Sequence, residues 1–264
     1  MVYSAMLKAV LRARYGEPPA PTPGGAGSGL VLVADGVGGL DLAGTSLRYV
    51  MGAARSPHEV RCLGWGHGFG RWHSDLTNVT NHRTQAAALA DAVQTARAEH
   101  PGAPVFLVGK SGGTGIVARA LEALPADSIE AAVLLAPALS SGYDLSQALR
   151  AVRRELVVFW SPLDLIILGV GTRVFGTIDR VNAVSAGLVG FRPGPGVDPT
   201  ALVKLRQVRW GPSMASTGYL GGHVGPDSPA FLRRYVVPLL RVADEPSAGD
   251  GPEIKPRAPR ADNL

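Results

Sequence analysis

Short apolar runs recur along the chain, and longer stretches between them return apolar side chains every three or four positions. The runs at 30–34, 59–63, 105–108, 131–135, 156–160 and 207–210 predict β-strands, and the stretches at 40–54, 84–99, 112–124 and 228–242 predict helices. Strands that are apolar along their whole length need cover on both faces, which the intervening helices supply. The predicted fold class is therefore α/β, a mostly parallel sheet of about six strands with helices on both faces. In such a sheet the reactive loops lie beyond the carboxyl ends of the strands.

The two ends of the chain break this pattern. Met6, Leu7, Val10 and Leu11 share one face of a short helix, with Lys8, Arg12 and Arg14 elsewhere on it, and a Pro/Gly/Ser-rich linker completes residues 1–29. Docking of that helix on the domain is the expected role, with contact to a membrane surface as the alternative. Residues 244–264 are rich in Pro, Gly and charge, lack apolar periodicity, and are expected to be disordered. Residues 30–243 then form one catalytic-size domain, within which 165–206 is long enough for a lid or excursion. No internal repeat is visible.

Composition narrows the function classes. A chain of 264 residues with 46% hydrophobic and 18% charged residues suits one globular domain. The net charge of +5 comes from scattered arginines without a dense basic run, so no nucleic-acid partner is expected. Cys62 is the only cysteine, which excludes an intrachain disulfide and a cysteine metal cluster; its apolar surroundings in sequence predict a buried core residue. Residues 1–15 lack the apolar core of a signal peptide and no segment has the length of a membrane span, so a cytoplasmic location is expected.

The most informative local sequence is Gly109-Lys110-Ser111-Gly112-Gly113, between an apolar run and a helical stretch. Strand, tight turn and helix with small residues two before and two after a serine fit a nucleophile elbow, in which strain lifts the hydroxyl clear of the sheet and helix N–H groups face its target. Gly-Lys-Ser also ends a phosphate-binding P-loop, but that loop needs a glycine where Pro104 stands and a flexible segment where Val105, Phe106, Leu107 and Val108 form a strand.

A serine nucleophile needs a general base. His223, in the glycine-rich segment between the last strand and the last helix, suits the role best. His58 and His100 flank predicted elements as ordinary surface residues, and His67, His73 and His82 follow the second strand, where they could line a pocket. The imidazole in turn needs a carboxylate. Asp164, four residues past Trp160, gives the order Ser111, Asp164, His223; Asp144 is its rival. An oxyanion hole needs two N–H donors, expected from Gly112 and from Val37 in the loop Asp35-Gly36-Val37-Gly38-Gly39. Trp65, Trp160 and Trp210 stand at predicted strand ends, where walls of an apolar substrate pocket and ordinary core packing are equally open readings.

Through GKSGG at Ser111, SPLD at Asp164, GGHVG at His223 and DGVGG at the oxyanion position, residues 30–242 resemble the α/β-hydrolase superfamily. The resemblance implies a serine hydrolase of the carboxylesterase or lipase kind. It implies an acyl-enzyme released by water, a small-molecule or lipid-like ester substrate, and no metal or organic cofactor. An acyltransferase using the same triad and a non-catalytic binding protein of the same fold remain open. This chain departs from the pattern in having no strand pair before Leu30, in Asp35 before the oxyanion glycine, and in Lys110 before the nucleophile. Lys110 either pairs with a nearby carboxylate or reaches solvent.

Overall fold

The structure is a computed structural model that describes residues 2–17, 28–171, 176–192, 194 and 199–242. Most of the 1–29 linker and the 244–264 tail lie outside the described residues. Six strands, β1 (Leu30–Ala34), β2 (Glu59–Leu63), β3 (Val105–Lys110), β4 (Ile129–Leu135), β5 (Val152–Trp160) and β6 (Leu205–Arg209), form one sheet in the order β2-β1-β3-β4-β5-β6. Every neighbouring pair is parallel. The chain enters at β1, steps outward to β2, then crosses back to β3 and continues to the other edge. This reversal sets the ends of β1 and β3 side by side, with Ala34 in register with Gly109. Open α/β sheets place their sites at such a switch point.

Alternation along the central strands divides the core into two layers. Leu30, Leu32 and Ala34 with Val105 and Leu107 face one layer, where they meet Leu89 and Val93 of α4 (Val79–Glu99) and Ile116 and Leu121 of α5 (Gly113–Ala123). Val31 and Val33 with Phe106 and Val108 face the other, against Leu47 and Val50 of α2 (Leu42–Ala53) and Phe231, Leu232 and Val236 of the C-terminal helical segment. Cover on both faces is the physical reason these strands read as unbroken apolar runs. N-terminal α1 (Val2–Tyr15) packs on α2, with Leu11 buried and Met6 and Val10 exposed.

Several elements differ from the sequence expectation. α4 begins at Val79 rather than 84, because the Asn78 side chain caps it by accepting from the Asn81 N–H. Two short helices, α3 (Trp72–Thr77) and α6 (Ser146–Ala151), have no counterpart in the expected elements. The helix expected over 228–242 is instead one helical segment over 229–239 that changes from α to π to 3-10 geometry, and Pro238, which lacks an N–H, lies in its last turn. Cys62 is exposed, not buried in the core: β2 is an edge strand whose residues are only partly covered, although the sulfur itself faces Gly44. His58 is buried rather than a surface residue. Its Nδ1 accepts from the Gly29 N–H at 2.9 Å and its ring packs on Phe106. No helix among the described residues is long and apolar enough to cross a membrane.

Candidate active site

The turn after β3 carries the site. Ser111 has a φ of 51°, in the left-handed region that costs a non-glycine residue strain, and its N–H donates to Leu135 O at 2.9 Å. The flanking glycines are required by contact. A Cβ at Gly113 would run into the carbonyl oxygens of Ala34 and Asp35, and one at Gly109 would lie 2.8 Å from Thr114 Cα. The chain can therefore turn from β3 into α5 directly against the end of β1.

Ser111 Oγ lies 2.8 Å from His223 Nε2, and His223 Nδ1 lies 2.6 Å from Asp164 Oδ2. With the ring proton on Nδ1, the imidazole donates to the carboxylate and accepts from the hydroxyl. Asp164 is buried in a turn closed by its own N–H to Ser161 O, and its Oδ1 accepts a long 3.4 Å bond from the Leu168 N–H. The histidine loop presses on this turn at Gly221, where a Cβ would lie 2.7 Å from the Leu163 side chain. Burial, and then the charge of Lys110, hold the His223 pKa below the usual histidine range, against the opposing pull of Asp164. The rival Asp144 is exposed and accepts from the Ser146 N–H at 2.8 Å, just before the Ser146–Ala151 helix.

The loop after β1 closes over the serine. Gly36 stands against Ser111, and a Cβ at Gly112 would lie 2.7 Å from Val37 Cγ1, so the two loops meet at Val37 and Gly112. Gly36 N–H donates to Asp35 Oδ1 at 2.8 Å and Gly38 N–H to Asp75 Oδ2 at 2.7 Å. Among the described hydrogen bonds none uses the N–H of Val37 or of Gly112. Asp75 is a residue that sequence reasoning missed. Fully buried, it also accepts from the His67 N–H and pairs with the His67 ring at 2.9 Å, thereby fastening the loop from behind. Nothing in its spacing signals this; only the fold carries it under Gly38.

A family model described as serine aminopeptidase, S33, matches residues 60–178, less than half of the chain. A six-stranded parallel sheet in this order, with a strained serine between its third strand and the following helix, matches that family's fold. The chain has the α/β-hydrolase fold. Among solved structures, a Trichoderma reesei cutinase in complex with a phosphonate inhibitor is similar at 15% identity, over 72% of this chain and 89% of that one, with a TM-score of 0.41. A CIB-like hydrolase from Thermoplasma acidophilum is similar at 16% identity, over 81% and 86%, with a TM-score of 0.44. A Xanthomonas campestris protein described as of the alpha/beta hydrolase superfamily is similar at 20% identity, over 77% and 95%, with a TM-score of 0.38. Comparison with curated proteins gives no sequence match.

Within this fold, the three tryptophans have different surroundings. Trp65 is buried beside Gly112, and its Nε1–H donates to Asp35 O at 2.7 Å, so it supports the loop after β1. Trp210 donates to Tyr219 O at 2.8 Å and so ties the histidine loop to the end of β6. Trp160 lies under the Arg209 guanidinium and against Gly190. None of the described contacts of Trp160 or Trp210 is with Ser111, Asp164 or His223. His82 is fully buried and bonds Asp75 O. Lys110 is also buried and pairs with Asp227, so its ammonium does not reach solvent. Part of the 165–206 segment is docked: Leu168 and Leu188 pack with Ala136 and Ala138 in a third small core. Residues 172–175, 193 and 195–198 of that segment lie outside the described residues.

Proposed function

We propose that the protein is a serine hydrolase that cleaves carboxylic esters with apolar acyl groups through an acyl-enzyme. The observation that carries this reading is the unbroken chain Ser111–His223–Asp164, at 2.8 and 2.6 Å, beside loops that meet at Val37 and Gly112. His223 Nε2 takes the Ser111 proton as Oγ attacks the ester carbonyl, and Asp164 stabilises the imidazolium that forms. The N–H groups of Val37 and Gly112 receive the charge that develops on the carbonyl oxygen. His223 then protonates the leaving alcohol, and a water activated by the same ring releases the acid.

The surroundings favour an apolar substrate. Leu163, Leu165, Ile166 and Ile167 around Asp164, Leu220 and Val224 around His223, and Phe69 and Trp72 beside the oxyanion loop are all exposed. Asp164 is the only charged residue in 161–171, and 218–225 contains none. A rim of this kind suits a neutral, apolar ester rather than a charged one.

The test is hydrolysis of para-nitrophenyl esters from acetate to long acyl chains by wild type and Ser111→Ala, with a fluorophosphonate label on the protein. Activity that rises with chain length, and is lost together with labelling in the variant, is expected. Equal activity in both proteins would overturn the reading, and ester transfer to an added alcohol in preference to water would assign an acyltransferase instead.

A further inference from the structure

In the loop after β1, the N–H groups on either side of Val37 are each held by a buried carboxylate. Gly36 N–H donates to Asp35 Oδ1 at 2.8 Å, and Gly38 N–H donates to Asp75 Oδ2 at 2.7 Å. The Val37 N–H between them enters none of the described hydrogen bonds. Asp35 is itself fixed, because its Oδ2 accepts from the Gly44 N–H of α2 at 2.8 Å. Asp75, fully buried on α3, accepts with Oδ1 from the His67 N–H at 2.6 Å and from His67 Nδ1–H at 2.9 Å. The Asn78 amide donates to Nε2 of the same ring at 3.1 Å, which leaves the ring proton on Nδ1 for Asp75. Among side chains of this size only a carboxylate satisfies three such donors on two sides. An asparagine has one carbonyl oxygen and turns its NH2 toward the donor it does not serve.

We propose that Asp75 is a positioning residue for the oxyanion hole: by holding the Gly38 N–H in the interior, it fixes the peptide next to Val37 and leaves the Val37 N–H as the donor for the substrate carbonyl oxygen. The proposal rests on reading Val37 as an oxyanion donor. Peptide groups are rigid planes, so fixing the N–H on each side of Val37 leaves the plane between them little room to rotate. The loop needs such an anchor, because Gly36, Gly38 and Gly39 give its backbone wide freedom, and Gly38 and Gly39 have φ values of 87° and 66°. The Gly38 carbonyl is held as well, by the Gly70 N–H at 3.2 Å. An oxyanion donor stabilises charge best when it is already in place and needs no reorganisation during the reaction. Asp75 touches neither Ser111 nor His223 among the described contacts, so its effect on the reaction passes through Gly38.

The test compares wild type with Asp75→Asn by NMR of the Gly38 and Val37 amides, by ester hydrolysis and by urea unfolding. Asparagine keeps the size of the side chain, and two donors at His67 against one at Gly38 turn its carbonyl toward His67. The Gly38 amide should then move upfield and exchange with solvent about tenfold faster or more, and kcat should fall about tenfold or more with KM within about twofold. Asp179→Asn is the control: Asp179 is a part-buried carboxylate in another segment, bonded to the Ser140 N–H at 2.9 Å and hydroxyl at 2.6 Å, and its loss should lower stability without lowering kcat. A Gly38 amide that stays in place in Asp75→Asn, a kcat that holds although the amide moves, or an equal fall of kcat in Asp179→Asn overturns the proposal. A second measurement needs no variant. Fluorophosphonate bound to Ser111 of wild type should move the Val37 amide downfield and leave the Gly38 amide where it was, and the reverse pattern also overturns the proposal. Wild type that neither hydrolyses esters nor takes the label would refute the proposed function instead, whereas the Gly38 amide in Asp75→Asn is read without substrate and decides whether Asp75 holds the loop.

Discussion

Replacing Asp164 by Asn tests the hydrogen-bond chain at the point where the structure is most exacting. Asp164 spends one oxygen on His223 Nδ1 at 2.6 Å and the other on the Leu168 N–H at 3.4 Å. An asparagine that keeps its carbonyl toward Leu168 must turn its NH2 toward Nδ1. That forces the ring proton onto Nε2, where it faces Ser111 and blocks proton transfer. Flipping the amide restores the tautomer but sets NH2 against the Leu168 N–H, and the charge that stabilised the imidazolium is still gone. Loss of that charge-assisted bond alone is worth about 1.5–3 kcal/mol, roughly 10- to 100-fold in rate. Loss of the tautomer as well brings the total to about 10⁴-fold, or ~5 kcal/mol. The 3.4 Å bond is long and biases the amide only weakly, so a fall in kcat of about 10³-fold or more is expected, with KM little changed. Asp164 also holds the His223 pKa up, so the acid limb of the residual kcat/KM should move to lower pH. Asp144→Asn, at an exposed position, should retain wild-type kcat. A less than tenfold loss in Asp164→Asn, or a larger loss in Asp144→Asn, would refute the assignment of the orienting carboxylate.

Two further outcomes follow from the fold. Gly113→Ala places a Cβ against the carbonyl oxygens of Ala34 and Asp35, both held in the backbone, and should cost about 3 kcal/mol or more in urea unfolding; an unchanged midpoint would show that the two loops are not in contact. For His58, burial lowers the pKa to about 4 from 6.5, so protonation favours the unfolded chain and stability falls as pH drops from 6.5 toward 4. Comparing Tm at pH 7.5 and 4.5, His58→Leu should lose less stability on acidification than wild type, and an equal loss in both would exclude this histidine as a source of acid sensitivity.

The chain order of strand and helix is written in the sequence, because a strand covered on both faces is apolar throughout and a covering helix repeats every three or four residues. Local backbone demands were legible for the same kind of reason: a serine forced to a φ of 51° between a strand and a helix leaves no room for side chains at Gly109 and Gly113, and that requirement is visible in five residues. What depends on neighbours distant in sequence was not legible. The edge position of β2 exposes Cys62, the packing of Gly29 and Phe106 buries His58, and the fold carries Asp75 beneath Gly38, although no pattern marks any of the three. The sequence left Lys110 open between a carboxylate and solvent. Only the tertiary structure set its ammonium beside Asp227, because two residues more than a hundred positions apart meet only through the fold. Local sterics and periodicity act within a few residues and can be read along the chain, whereas burial and charge depend on which segments the fold brings together.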